Sequence, residues 1–449
     1  MKLLLALLAS FFVLTGLAAE GPCTSENGDA NADGRLDLSD GITMLGHLFL
    51  GRPSVLPPVC TGISPIPATG QSRCYDVEGN EIPCDDPMCP GQNGFYQTGC
   101  PPEGRFVDHG DGTVSDTCTG LMWQKDTADT NGDGRVDDDD WLLWCSAGSY
   151  FDDSILAGYD DWRLPNVREL GSLVDFARPK PLIDPVFPTE RRLYWSSTGG
   201  GYPAWFVHFA FGVTANEIKA IGGGYHVRGV RRGDGCSPET GDVNADGAVD
   251  LTDAVVFLNH LFLGAPRELR PLCASLLPDT AQMTCYHGNI EVSCEETTCR
   301  QDGFYETGCP IEGRFVDNGD GTVTDNCTGL MWQKDTDLNG DGQLVFRDDS
   351  LKWCESLSYC EDLTLAGYDD WRLPNVHELQ SIMVDFGVSV GRSVLDPAFG
   401  NLSYQGGWSS TSLADVPTAA WGVSFGAVIG TSKRALNAVR AVRGGTRFR

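Results

Sequence analysis

Asp29, Asn31, Asp33, Asp37 and Asp40 place side-chain oxygens at positions 1, 3, 5, 9 and 12 of one short stretch, with Gly34 at position 6 where the chain must turn sharply. The carbonyl of Arg35 is expected to supply the oxygen at position 7. The same register returns at Asp242, Asn244, Asp246, Asp250 and Asp253 around Gly247, with the carbonyl of Ala248. It returns again at Asp129, Asn131, Asp133, Asp137 and Asp140 around Gly134, with the carbonyl of Arg135. A fourth copy holds Asp337, Asn339, Asp341 and Asp348 around Gly342, with the carbonyl of Gln343 and with Val345 at position 9. Oxygen-only, carboxylate-rich ligation at this spacing selects Ca²⁺ over softer metals. Carboxylates crowded in this way repel one another until a cation neutralises them, so four calcium sites are expected.

Other chemistry is poorly represented. No C-x-x-C pair occurs and there are 7 histidines, which argues against zinc. His109, His208, His226 and His377 have no histidine in the corresponding place of the repeat described next, so a catalytic constellation shared by both halves is missing. The chain is therefore expected not to be an enzyme. With 32 Lys+Arg against 62 Asp+Glu and a net charge of -30, it is also not expected to bind nucleic acid.

The chain is a duplication. GRFVDHGDGTVSDTCTGLMWQKDT from Gly104 recurs almost unchanged from Gly313, LAGYDDWRLPNVREL from Leu156 recurs from Leu365, and GDANADGRLDLSD from Gly28 recurs as GDVNADGAVDLTD from Gly241. Of the 17 cysteines, eight fall in each copy at matching places, and Cys360 is left over where the first copy has Phe151. An even number per copy is most simply paired within it. Pairs that close separate local segments are Cys23–Cys60, Cys74–Cys84, Cys89–Cys100 and Cys118–Cys145. Cys360 is expected to be free or to join two chains.

The elements that must carry these residues follow from periodicity. Leu38 to Leu50 and Leu251 to Leu263 space Ile42, Leu45, Leu48, Phe49 and Val255, Leu258, Leu261, Phe262 as helices do. Phe106-Val107 and Thr113-Val114 flank an Asp-Gly turn and predict a hairpin. A helix is expected from about Asp140 through Trp144. Asn166 with Glu169, and Asn375 with Glu378, are helix-start signals, followed in the first copy by the apolar face of Val167, Leu170, Leu173 and Val174. Trp205, Val207 and Phe209 alternate as a strand, as do Trp421, Val423 and Phe425. Hairpin, two helices, then strands make an α+β module.

Two resemblances now carry weight. The loop-helix unit, closing in LFLG, resembles a bacterial type I dockerin repeat with an EF-hand-like loop. Dockerins join two such repeats in tandem to bind a cohesin, whereas here each repeat stands alone, some 200 residues from the other. A structural calcium clip is the expected role, and a cohesin-like partner the less favoured one. RFVDNGDGTVTD, TGLMWQ, AGYDDWRLPN, WSST and VRAVRGG resemble the Lcl C-terminal domain family. That resemblance implies a C-type-lectin-like fold and, from the family's namesake, a sulfated glycosaminoglycan or similar polysaccharide as ligand.

The expected organisation is a signal peptide at 1–19, a calcium repeat at 20–60, a Cys-rich connector at 61–103 and an Lcl-like domain at 104–235. A second repeat follows at 236–273, a connector at 274–312 and a second Lcl-like domain at 313–449. The apolar leader implies export, the two resemblances imply a bacterium with the chain at its surface or in its surroundings, and no later stretch is long and apolar enough to span a membrane. After Asp415 no acid occurs, so Lys433, Arg434, Arg440 and Arg443, with Arg228 and Arg231 in the first copy, are the candidate contacts for an anionic glycan. In a strand, Arg440 and Arg443 face opposite sides, so one of each pair is expected to be structural, salt-bridged to the Asp-Asp-Trp segment. The function expected is non-catalytic recognition or adhesion, with a scaffold or anchoring component as the alternative.

Overall fold

The computed structural model describes residues 38–50, 66–178, 180–189, 193–201, 203–218, 224–232, 251–263, 277–287, 290–295, 299–305, 307–309, 311–338, 340–341, 345–384, 395–400 and 406–444. Outside them lie the leader, the calcium loops beginning at Asp29 and Asp242 with their ligands through Asp37 and Asp250, and Asn339 and Gln343. Cys23, Cys60, Cys236 and Cys273 lie outside them too. Asp40 and Asp253 belong to described helices, but their side chains are not described. The chain divides into two compact units, one of 1–60 with 237–272 and the other of 61–236 with 273–449.

In the first unit the helices Leu38–Leu50 and Leu251–Leu263 pack against each other. Met44, Ala254 and Phe257 are fully buried, and Gly41 faces Leu258 so closely that an added Cβ would stand 3.1 Å from its side chain. Phe49, Val255 and Phe262, expected on the apolar face, are exposed. The expectation that each repeat stands alone is therefore overturned. Chain distance did not reveal that two short helices, each too small to bury an apolar face by itself, cover one another.

The second unit is mixed α and β, with more strand than helix. Its first module holds a four-stranded antiparallel sheet of Phe106–Asp108, Thr113–Asp116, Leu121–Gln124 and Val230–Arg232. The second module repeats it with Phe315–Asp317, Thr322–Asp325, Leu330–Gln333 and Val442–Arg443. Each module adds a three-stranded meander, Leu193–Gly199, Pro203–His208 and Val213–Ile218 in one, Gly406–Ser412, Ala419–Ser424 and Ala427–Ser432 in the other. The meanders join edge to edge through Val428 and Thr214 into one six-stranded sheet. Joining them covers an edge that each module would otherwise expose.

The helix-start signals are present as expected. Asn166 accepts from the backbone N–H of Glu169 while Glu169 accepts from that of Asn166, opening the helix Val167–Ser172, and Asn375 with Glu378 does the same for Val376–Ser381. The helix expected from Asp140 begins only at Trp144, because Leu142 instead pairs in extended form with Tyr225. Buried ion pairs tie each first hairpin to the helix behind it. Arg105 grips Asp116 at 2.6 Å and the Ser172 carbonyl, and Arg314 grips Asp325 at 2.7 Å and the Ser381 carbonyl.

The two helices and both meanders share one hydrophobic core, which runs from Val167, Leu170 and Phe176 to Val376, Leu379 and Trp421. The connectors are exchanged. Residues 66–100 lie on the second module, where Gln71 bonds Ser412 and Thr98 bonds Glu378. Residues 277–309 lie on the first, where Gln282 bonds Gly199 and Thr307 bonds Asn166.

The disulfides reflect that exchange. Cys74–Cys84 forms as expected, with Cys285–Cys294 as its repeat. Cys89 bonds Cys354 of the other copy, and Cys100 bonds Cys118, as Cys309 bonds Cys327, so the expected Cys89–Cys100 and Cys118–Cys145 pairs are overturned. Local pairing failed for Cys89, whose stretch of the connector lies on the other module, whereas Cys100–Cys118 and Cys309–Cys327 are still local, each 18 residues apart. Cys360 is fully buried in the core, forms no disulfide and has its thiol pKa raised by burial, so a bond to another chain is excluded.

Candidate functional site

The loop from Asp129 to Asp140 is held by its own carboxylates. Asp129 accepts from the N–H groups of Gly132 at 2.7 Å and Gly134 at 2.7 Å, Asn131 from Asp133, and Asp133 from Arg135. Positive φ at Gly132 and Gly134 permits the sharp turn. Asp140 is fully buried, and its two oxygens accept from Thr130 at 2.7 Å and Asp137 at 2.9 Å. Burial works to raise its pKa, but the hydrogen bonds from Asp137, Thr130 and Asn131 together outweigh it and hold the carboxyl below its ordinary value. Asp140 therefore ties the loop from inside, while Asp133 and Asp137 stand exposed on its rim.

In the second module the same internal tie is Asp349, which accepts from Leu338 at 2.9 Å and Val345 at 2.7 Å and is buried. Asp348, which the spacing assigned to position 12, is exposed. One extra residue in this loop shifts the register. The signal was in the sequence, since Asp140 precedes Trp144 by the same interval that separates Asp349 from Trp353. The donor set of the Asp129 loop is all oxygen and suits a hard cation, with Asp129, Asn131, Asp133, Asp137 and the Arg135 carbonyl as the groups that would hold it. Among the described residues, no three carboxylate, imidazole or thiol side chains already converge as a metal cluster.

Directly after Asp140, Trp141 is 48% exposed, and its indole lies flat on Gly224, where no side chain would fit. Leu142 and Tyr225 exchange backbone hydrogen bonds at 3.0 and 3.1 Å, which sets Trp141 beside Tyr225. The Tyr225 ring stacks 4.2 Å from that of Trp195, and its hydroxyl donates to Glu217. Burial, then that carboxylate, raises the Tyr225 pKa, so the phenol stays protonated. Trp141, Gly224 and Tyr225, with Asp138, Leu193, His208 and His226, line a cleft of about 240 Å³. Burial lowers the His208 pKa and favours a neutral ring.

The sheet register puts Asn437 where Tyr225 stands, and the second module has Ser350 and Ser424 in place of Trp141 and His208. The cleft is thus built in one module only. Sequence reasoning missed it, because residues without a repeat counterpart were discounted. A larger cavity, about 380 Å³, lies between the connector 277–309 and the first module. There Arg163 and Glu169 are already joined at 2.6 and 2.7 Å, and Asn166 caps its helix.

The basic residues expected to meet an anionic glycan are mostly turned inward. Lys433 is fully buried, donating to the carbonyls of Tyr75 at 3.1 Å and Asp76 at 3.3 Å over the Trp353 ring, and burial lowers its pKa to about 7. The expectation of a solvated loop lysine is overturned, because the exchanged connector covers it. Arg440 donates to Gln333, and Arg228 to Gln124 and Pro188, all backbone carbonyls. Arg231 pairs with Asp161 at 2.6 Å and Arg443 with Asp370 at 2.7 Å, the expected bridges to the Asp-Asp-Trp segment. Arg434 is exposed and pairs with Glu78 at 2.9 Å.

Fold and site together define a tandem α+β protein whose two modules form one body. The chain belongs to the Lcl C-terminal domain family, which matches residues 112–231 and again 321–443. No curated protein and no solved structure matches it.

Proposed function

We propose that this is an exported, non-catalytic recognition protein with C-type-lectin-like modules, binding a neutral polysaccharide in the Trp141 cleft beside the Asp129 calcium loop. The observation that carries the reading is the half-exposed indole of Trp141, laid open next to Tyr225, His208 and the Asp138 carboxylate. Aromatic faces with a few polar groups suit the C–H face and hydroxyls of a sugar ring. The exposed acids Asp133, Asp137, Asp138 and Asp139 would repel sulfate, which favours a neutral ligand over the anionic one the basic tail suggested. Bound calcium would draw the rim carboxylates together and fix the segment that presents Trp141. Titrating the protein with neutral cello-, xylo- and manno-oligosaccharides while following tryptophan fluorescence tests this. Quenching that disappears in Trp141→Ala supports the reading, and no response to any of the three classes defeats it.

The packed helix pair favours a second role. Two dockerin-like repeats brought together in one unit, with Phe49, Val255 and Phe262 exposed, resemble the arrangement tandem dockerin repeats achieve, and would anchor the body to a cohesin-like partner. Calcium-dependent binding to cohesins by calorimetry is the expected result, and none across a cohesin panel removes this role.

A further inference from the structure

The exchange of connectors is reciprocal in detail. Arg372 sits over the Tyr96 ring at 5.7 Å on one side, and Arg163 over Tyr305 at 5.6 Å on the other. Gln71 serves Ser412 as Gln282 serves Gly199, and Thr98 meets Glu378 as Thr307 meets Glu169. Trp353 donates its indole N–H to the Ser409 carbonyl at 2.7 Å, and Trp144 to that of Ser196 at 2.7 Å. On one side this scaffold carries the disulfide between connector residue Cys89 and Cys354, the residue after Trp353. On the other, the residue after Trp144 is Cys145, and the connector residue matching Cys89 is Cys299.

Burial agrees for the connector cysteines, Cys89 being 3% and Cys299 4% exposed, while Cys354 is half-buried and Cys145 exposed. Cys299 lies in the core that holds Trp144 and Ala147, as Cys89 lies in the core with Trp353. The backbone of Arg300, the next residue, runs so close to Gly148, one turn beyond Cys145, that a Cβ there would collide with it. Arg300 also reaches Asp152 at 3.4 Å, while Tyr96 reaches Glu361, the matching acid, at 2.6 Å.

We infer that Cys145 and Cys299 form a disulfide, the reciprocal of Cys89–Cys354, so that each connector is covalently fixed to the other module. Formation needs a disulfide-bearing oxidant. The Cys145 thiolate attacks one donor sulfur and releases the other as a thiolate. The Cys299 thiolate then displaces the remaining donor sulfur, leaving one new protein disulfide and the donor reduced to two thiols. With both bridges in place, the two modules cannot separate without breaking a covalent bond.

Digestion of the unreduced, maleimide-blocked full chain with trypsin and a glutamyl protease is expected to join peptide 136–163 to peptide 297–300, the pair vanishing on reduction. Recovery of Cys145 or Cys299 as the maleimide adduct, or of either joined to another cysteine, overturns the inference. Cys145→Ser adds an independent reading. If the bond exists, the denatured, unreduced variant gains one titratable thiol over the unaltered chain, and no gain or a loss overturns it.

Discussion

Gln71 and Ser412, 341 residues apart in the chain, exchange two hydrogen bonds: the Gln71 amide donates to the Ser412 carbonyl at 3.0 Å and accepts from its N–H at 3.0 Å. Through this contact, part of the first copy finishes the edge of the second copy's meander. A single copy cut at its repeat boundaries would leave that backbone, and much of the core behind it, unpaired and open to water.

It follows that residues 104–235 alone should not fold to a stable state. The missing connector 277–309 supplies Cys299 to the core and Gln282 to the Gly199 N–H. Circular dichroism melts are expected to show no cooperative transition for the fragment, and a sharp one for the full chain. A cooperative melt of the fragment would show that the exchange is dispensable for folding.

Lys433 should register pH. Burial takes its pKa from the ordinary 10.5 to about 7, so between those values the unfolded chain binds a proton that the folded chain does not, and this group makes stability rise with pH across that window. Lys433→Met should flatten that rise in denaturant melts at pH 7 and pH 9. Lys433→Glu, which buries a carboxylate against two carbonyls, should cost about 3–5 kcal/mol.

Asp349 and Asp348 separate the register of the second loop. Asp349→Ala orphans the N–H groups of Leu338 and Val345 and should cost about 1–3 kcal/mol. Asp348→Ala, at an exposed position, should fall within about 0.5 kcal/mol of the unaltered chain. Urea unfolding midpoints decide it, and the reverse ranking would restore Asp348 to the closing position.

Calcium should stabilise the protein by mass action, about 2.7 kcal/mol for each site at a hundredfold excess over its dissociation constant. Calorimetry is expected to find about four ions, the number of loops in the sequence, and one fewer in Asp129→Ala. A melting temperature indifferent to a chelator would leave the loops as acidic turns.

Much of this was legible in residue order. The duplication, both long helices, the Asp-Gly hairpins and the Asn-x-x-Glu helix starts depend on interactions within a few residues, so local spacing suffices to read them. The Arg231–Asp161 and Arg443–Asp370 bridges were legible in part: a bridge to the Asp-Asp-Trp segment was expected for one arginine of each pair, but Arg228 and Arg440 turn out to be buried too, on backbone carbonyls. What spacing could not show is which copy a segment completes. Closely similar repeats offer each connector two comparable partners, and the chain that links them allows either choice. Only the tertiary structure shows Cys89 on Cys354, Lys433 sealed beneath the first connector, and the helices Leu38–Leu50 and Leu251–Leu263 packed together. The shared core of the modules in one case, and the paired apolar helix faces in the other, make the long-range choice, because burial depends on proximity in space and is indifferent to distance along the chain.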